Sequence, residues 1–132
     1  MDLLEELTQL CAKLEAAGVD YALCGGLAMA VYAFPRATLD IDIMIESEAL
    51  EAAKQVAREL GYDIEAGLME FQGGAVKIHR LSRIAPDSAG ALVLDMLLVT
   101  PEVEHVWQTR QRVCWQGGEL PVVSPQGLIA LK

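Results

Sequence analysis

Residues 39–45 read Leu-Asp-Ile-Asp-Ile-Met-Ile, and this run limits the possible folds more than any other. Its period-two alternation and its β-branched residues predict a strand. Ile41, Ile43 and Ile45 then point to one face and into a core, while Asp40 and Asp42 project side by side from the other. Parallel carboxylates a few ångströms apart repel each other unless a cation sits between them or one is protonated. A chain that forms this strand must therefore make one face dry and let the other answer two negative charges.

A second apolar run, "ALVLDMLLV" at residues 91–99, is interrupted by one carboxylate, Asp95. Buried without a partner, that charge is expensive. It becomes reasonable if this strand lies beside residues 39–45 and Asp95 joins the same cation site. An oxygen-only donor set suits Mg2+ or Mn2+, which leave positions for water and substrate phosphates. Three carboxylates on neighbouring strands form the protein part of a two-metal site for phosphoryl or nucleotidyl transfer. Plainer readings stand beside this one: solvated aspartates on an edge strand, and Asp95 paired with a nearby arginine.

Upstream, Gly25 and Gly26 break a short apolar run just before a helical segment. A glycine pair there lets the backbone approach a ligand and aims helix N-terminal amides at an anion, so a triphosphate is the expected guest. Arg36 and Thr38 precede the acidic strand, where one can pair a phosphate and the other donate a hydroxyl hydrogen bond. A plain strand-to-helix turn and a surface ion pair are the alternatives.

The remaining pattern predicts a helix at 2–17, with Asp2 and Glu5 as a capping signal and Gly18 as its stop. A strand follows at 19–24, then a short helix in "LAMAVYA" and a loop at "PRAT". Ser47 is the expected N-cap of a helix at 48–60. Short strands are expected at 62–65 and 75–83, turn material at "APDSAG", and a helix opened by Thr100 and Pro101. Residues 111–116 and 119–123 read as a hairpin around Gly117 and Gly118, and Ser124 with Pro125 starts a last helix. The expected fold class is α+β: a mixed β-sheet flanked by helices, one domain over residues 1–132. No helix stop precedes Lys132, so the last helix is either short and docked or truncated at the C-terminus.

Composition narrows the function classes. Of 132 residues, 53% are hydrophobic but only 5% aromatic, so the core must be mostly aliphatic. No run approaches the ~18 apolar residues of a membrane span, and the acidic N-terminus lacks a basic leader region, so a cytoplasmic protein with no membrane partner is expected. Cys11, Cys24 and Cys114 are scattered and read as small buried hydrophobes. The formal net charge of −9 disfavours extended polyanion binding, unless a local patch drawn from Arg36, Lys77, Arg80, Arg83, Arg110 and Arg112 reverses the field. His79, His105, Trp107 and Trp115 read as structural rather than catalytic.

The stretch "GGLAMAVYAFPRATLDIDIMI", the distant Asp95 and the later "LPVVSPQGLIALK" resemble the nucleotidyltransferase superfamily with the DNA polymerase β-type fold. Within it they resemble the minimal nucleotidyltransferase branch that includes AbiEii-type toxin-like enzymes. The resemblance implies a nucleotidyltransferase-like sheet. It implies divalent metal (Mg2+ or Mn2+) on Asp40 and Asp42, with Asp95 completing the site and helping to deprotonate the acceptor. It also implies nucleotide phosphates at Gly25 and Gly26. Many relatives carry Ser where this chain has Gly26, and AbiEii-type members continue well past the position of Lys132.

The implied activity is transfer of a nucleoside monophosphate from a nucleoside triphosphate to a tRNA, a protein or a small cationic molecule such as an antibiotic. Alternatives of another class are a non-catalytic nucleotide- or partner-binding domain, and one component of an assembly in which a homodimer or a helical partner protein completes the pocket.

Overall fold

A computed structural model describes residues 3–25, 28, 40–84, 91–115 and 118–131. The expected helix in "LAMAVYA", the "PRAT" loop and the "APDSAG" turn lie outside the described residues apart from Ala28, which is buried. Helix α1 is Leu3–Ala16, followed by strands β1, Tyr21–Cys24, and β2, Asp40–Ile45. Helix α2 is Leu50–Glu59, and strands β3, Ile64–Phe71, β4, Val76–Ile84, and β5, Ala91–Leu98, come next. Helix α3, Glu104–Trp107, the hairpin of β6, Gln111–Trp115, and β7, Gly118–Val122, and helix α4, Pro125–Ala130, complete the chain.

The seven strands form one sheet in the order β3-β4-β5-β2-β1-β7-β6. Two junctions are parallel, β2 with β5 and β1 with β7, and the other four are antiparallel. This is the mixed sheet with flanking helices that the pattern of elements predicts.

Cross-strand partners share a face, so the register sorts the sheet into two surfaces. On the first, Leu23, Ile43 and Met96 stand in one row and Tyr21, Ile45 and Leu98 in another. All six are buried. Helix α1 covers this side: Arg83 of β4 donates to Glu6 at 2.8 Å, Tyr62 donates to the same carboxylate oxygen at 2.9 Å, and Tyr21 donates to Glu15 at 2.8 Å. Leu7, Leu10 and Leu14, one helical stripe of α1, are fully buried in the same core. Helix α2 adds Ala53, Val56 and Ala57.

Glu65 of β3 ties α2 to the sheet. Its carboxylate meets Lys54 at 2.9 Å, Arg58 at 3.2 Å and the His79 ring at 2.9 Å. Those partners, Lys54 foremost, hold its pKa down at about 2. His79 thus sits in a structural hydrogen bond, as its strand context suggests. Trp107 is buried under the Arg110 guanidinium, 3.9 Å from the ring centroid, and His105 is exposed. The Trp115 side chain is outside the described residues.

Several boundaries differ from the sequence reading. The short strand expected at 62–65 is an eight-residue edge strand, Ile64–Phe71. Gly67 at a positive φ of 88° and a register shift between Glu65 and Gly67 make a bulge that breaks the alternation. Ser47 does not cap α2: a 3-10 turn, Ser47–Ala49, leads in, and the cap residue Ala49 makes no side-chain cap bond. Thr100 likewise makes no cap bond, because its hydroxyl donates to the Ala75 carbonyl at 2.7 Å. Ser124 does cap α4, accepting from the Gly127 amide at 3.0 Å. Cys11 and Cys24 are buried thiols, but Cys114 is exposed on β6, where the two-stranded margin of the sheet leaves it uncovered.

Candidate active site

The three aspartates stand on the second face of the sheet. Asp42 of β2 is the register partner of Asp95 of β5, and Asp40 is two residues along the same strand. Asp95 faces Arg80 of β4 across the antiparallel pair, Arg80 faces Gly67 of β3, and Asp42 faces Cys24 of β1. One row across five strands therefore reads Gly67, Arg80, Asp95, Asp42, Cys24. The expected meeting of Asp40, Asp42 and Asp95 on neighbouring strands is what the register produces, and β2 and β5 run parallel to do it.

The electrostatics are strained in one direction. Asp95 is only 5% exposed. Burial, then Asp95 and then Asp40, push the Asp42 carboxyl up to about 7, against a weaker pull downward from Arg80. The Cys24 thiol is held protonated, first by burial and then by Asp42 and Asp95. A group whose charge is resisted by burial and by two like charges is a common mark of a functional carboxylate.

Gly25 closes the row at the end of β1. Its φ is +69°, in the region that favours glycine. A Cβ placed there stands 2.7 Å from Asp42 Cγ and 2.8 Å from Asp42 Cβ, so the backbone reaches the carboxylate only because the side chain is missing. Gly25 thus lies against Asp42. Gly26, Arg36 and Thr38 lie outside the described residues.

Arg80 is the residue that sequence reasoning placed only in a loose basic patch. Its Nε donates to Asp95 Oδ1 at 2.7 Å and its Nη2 to Oδ2 at 2.9 Å. The arginine-partner reading of Asp95 is therefore realised within the candidate cation site. The alternating strand at 75–83 held the signal, but only the register with β5 identifies the pair. Among the described residues, no three His, Cys, Asp or Glu groups are drawn together into a metal cage. The chemistry of the donors nevertheless fits a hard divalent cation: they are carboxylates on one sheet face, two of them register partners and one resisting ionisation, beside a backbone approach left open by glycine.

A cleft of about 540 Å³, lined by Glu15, Asp20, Tyr21, Arg110 and Arg112 among others, opens at the opposite end of β1 and includes none of the three aspartates. No helix among the described residues is long and apolar enough to cross a membrane.

Comparison with known proteins gives the family and the fold. The sequence model of the aminoglycoside-2''-adenylyltransferase family matches residues 6–128. No curated protein matches the chain. Among solved structures, TM1012 of Thermotoga maritima, assigned as a nucleotidyltransferase, superposes with a TM-score of 0.69 at 15% identity, over 97% of this chain and 81% of that one. The lincosamide antibiotic adenylyltransferase LnuA, with lincomycin bound, gives 0.65 at 16% identity, over 96% and 83%. ANT(2'')-Ia in complex with adenylyl-2''-tobramycin gives 0.66 at 15% identity, over 96% and 71%. At these identities the superpositions show the fold. The superfamily expectation holds at that level, and the toxin-like branch gains no support from these matches.

Proposed function

Because this chain belongs to the aminoglycoside-2''-adenylyltransferase family and so to the nucleotidyltransferases, we propose that it moves a nucleoside monophosphate, AMP first, from a nucleoside triphosphate to a hydroxyl of a small polycationic acceptor. The observation that carries the reading is the register pairing of Asp42 with Asp95, with Asp40 beside them on one sheet face. The net charge of −9 supports a cationic acceptor and weighs against an RNA one.

Asp40 and Asp42 would hold Mg2+ or Mn2+, with Asp95 as the third oxygen donor. When bound, the cation neutralises the phosphates and the charge that develops on the leaving pyrophosphate. The rest falls to the chain. Gly25 and Gly26 bring backbone amides to the phosphates, and Arg36 and Thr38 add a charge and a hydroxyl to them. Asp95 orients the acceptor hydroxyl and takes its proton. Catalysis in this scheme is mostly positioning in a charged, partly dry site.

The test is pyrophosphate release from ATP and Mg2+ in the presence of a panel of aminoglycosides, with calorimetric titration of each nucleoside triphosphate. Acceptor-dependent release, and an adenylylated product by mass spectrometry, are expected for the wild type and not for Asp40→Asn or Asp42→Asn. A folded wild type that binds no triphosphate at millimolar concentration overturns the reading.

A further inference from the structure

The Arg80–Asp95 pair is a fork on a fork, in which each carboxylate oxygen already has a charged donor. Asp95 is buried, and an attraction between charges is stronger there than in water. The Arg80 side chain, by contrast, is 39% exposed, so the guanidinium has a path to water that does not open the core. Its neighbour toward the sheet edge is Gly67, and a Cβ built there meets nothing within 4 Å. Gly67 itself sets no side chain against Arg80.

Resting on the reading that Asp40, Asp42 and Asp95 form the cation site, we infer that Arg80 is a resident counter-cation. It holds Asp95 in place while the site is metal-free, competes with a divalent cation for that carboxylate, and so keeps cation affinity weak. The fork takes one lone pair on each Asp95 oxygen and leaves the other free, so the two compete as positive charges drawn to one carboxylate rather than for the same lone pairs. Arg80 is a positioning residue, because it acts through Asp95.

Removing its charge has two opposed consequences. The metal-free protein loses the guanidinium that offsets Asp42 and Asp95, and it becomes less stable. The incoming cation meets one more uncompensated negative charge and no rival, and it binds more tightly. A merely structural arginine gives the first effect without the second, since loosened strands hold a cation less well.

The experiment is Mn2+ binding to the whole chain, read at pH 8 from the electron paramagnetic resonance of the free ion. Arg80→Met is expected to bind Mn2+ about three- to tenfold more tightly than wild type, the range left to one unit charge in a partly screened site. Arg80→Lys keeps the charge but not the fork and is expected within about twofold of wild type. Unchanged or weaker affinity in a folded Arg80→Met overturns the proposal. If Arg80→Met does not fold, the wild type decides by NMR: added Mg2+ should move the Arg80 Nε–H resonance upfield as the cation draws charge from Asp95 and weakens that bond. A resonance that stays in place to saturation overturns it. No Mn2+ binding by either wild type or Arg80→Met overturns the cation-site reading itself. Binding by wild type without tightening in Arg80→Met removes only the role given to Arg80.

Discussion

Ile43 and Asp42 are adjacent residues on β2, and they face opposite worlds. On the helix-covered side, Ile41, Ile43 and Ile45 are at most 1% exposed and packed against aliphatic neighbours. On the other side, Asp42 stands against Asp95 with its carboxyl pushed up to about 7. The first face gains free energy from every contact it makes. The second gives some away, because burial and like charges both work against the ionised state. Stability and the proposed chemistry are thus divided between the two sides of one strand, and single substitutions can separate them.

The largest expected effect is on activity. Asp42→Asn should lower acceptor-dependent pyrophosphate release by about two to three orders of magnitude, the usual scale for removing one electrostatic group from such a site. Next, Ile43→Ala should cost about 2–5 kcal/mol of stability in urea unfolding, because it leaves a cavity in a packed core. Activity per folded molecule should change far less than in Asp42→Asn. Equal losses of specific activity in the two variants would abolish the contrast.

Gly25→Ala joins the faces, since it forces a side chain both into a positive φ and onto Asp42. A cost of about 1–3 kcal/mol is expected from the backbone alone, together with weaker triphosphate binding by calorimetry. Retained binding would mean that the backbone approach at Gly25 is not used.

A smaller effect sharpens the comparison in the other direction. The folded Asp42 pKa, about 7, lies above its ordinary 3.8, so the protein pays nothing below pH 3.8 and loses stability as pH rises toward 7. Metal-free Asp42→Asn should therefore be the more stable protein at pH 8, by about 1–3 kcal/mol, with the gap closing below pH 4. Thermal melts in chelator across pH measure it, and a variant less stable than wild type at pH 8 would contradict it. The smallest effect is on the first face. Glu65 has its pKa lowered from 4.5 to about 2, so its contribution is present above pH 4.5 and lost as pH falls toward 2. Glu65→Gln should flatten that part of the acid melt and leave transfer activity alone.

Much of the second face was legible because a strand's period is so simple. Two aspartates two apart must share a side, and one aspartate in an apolar run must find a partner. The glycine beside them was legible for the same reason, since a turn after a short strand falls at the strand's end. What could not be read was cross-strand register. Arg80 is unremarkable among six basic residues until β4 is laid against β5, and the three-way hold on Glu65 by Lys54, Arg58 and His79 joins β3 to α2 and to β4. The edge strand β3 was mostly missed because a bulge at Gly67 and exposure on both sides, with Leu68 52% exposed, erase the pattern that marks a strand. The expected caps at Ser47 and Thr100 failed for a local reason: a 3-10 turn precedes each helix, and the Thr100 hydroxyl had a better acceptor in the Ala75 carbonyl.

The parallel pairing of β2 with β5 also has a kinetic side. Asp42 and Asp95 are separated by α2 and two further strands, so their meeting closes one of the longer loops in the chain. Loop closure of that kind is slow and is rewarded only once the strands have paired. No N-terminal fragment that stops before β5 contains the acidic row, whatever its own helix and strands have achieved. During synthesis the chain therefore acquires its hydrophobic stripe early and its charged constellation late, after the final carboxylate has emerged. A half-made sheet that ends before β5 carries Asp40 and Asp42 without Asp95.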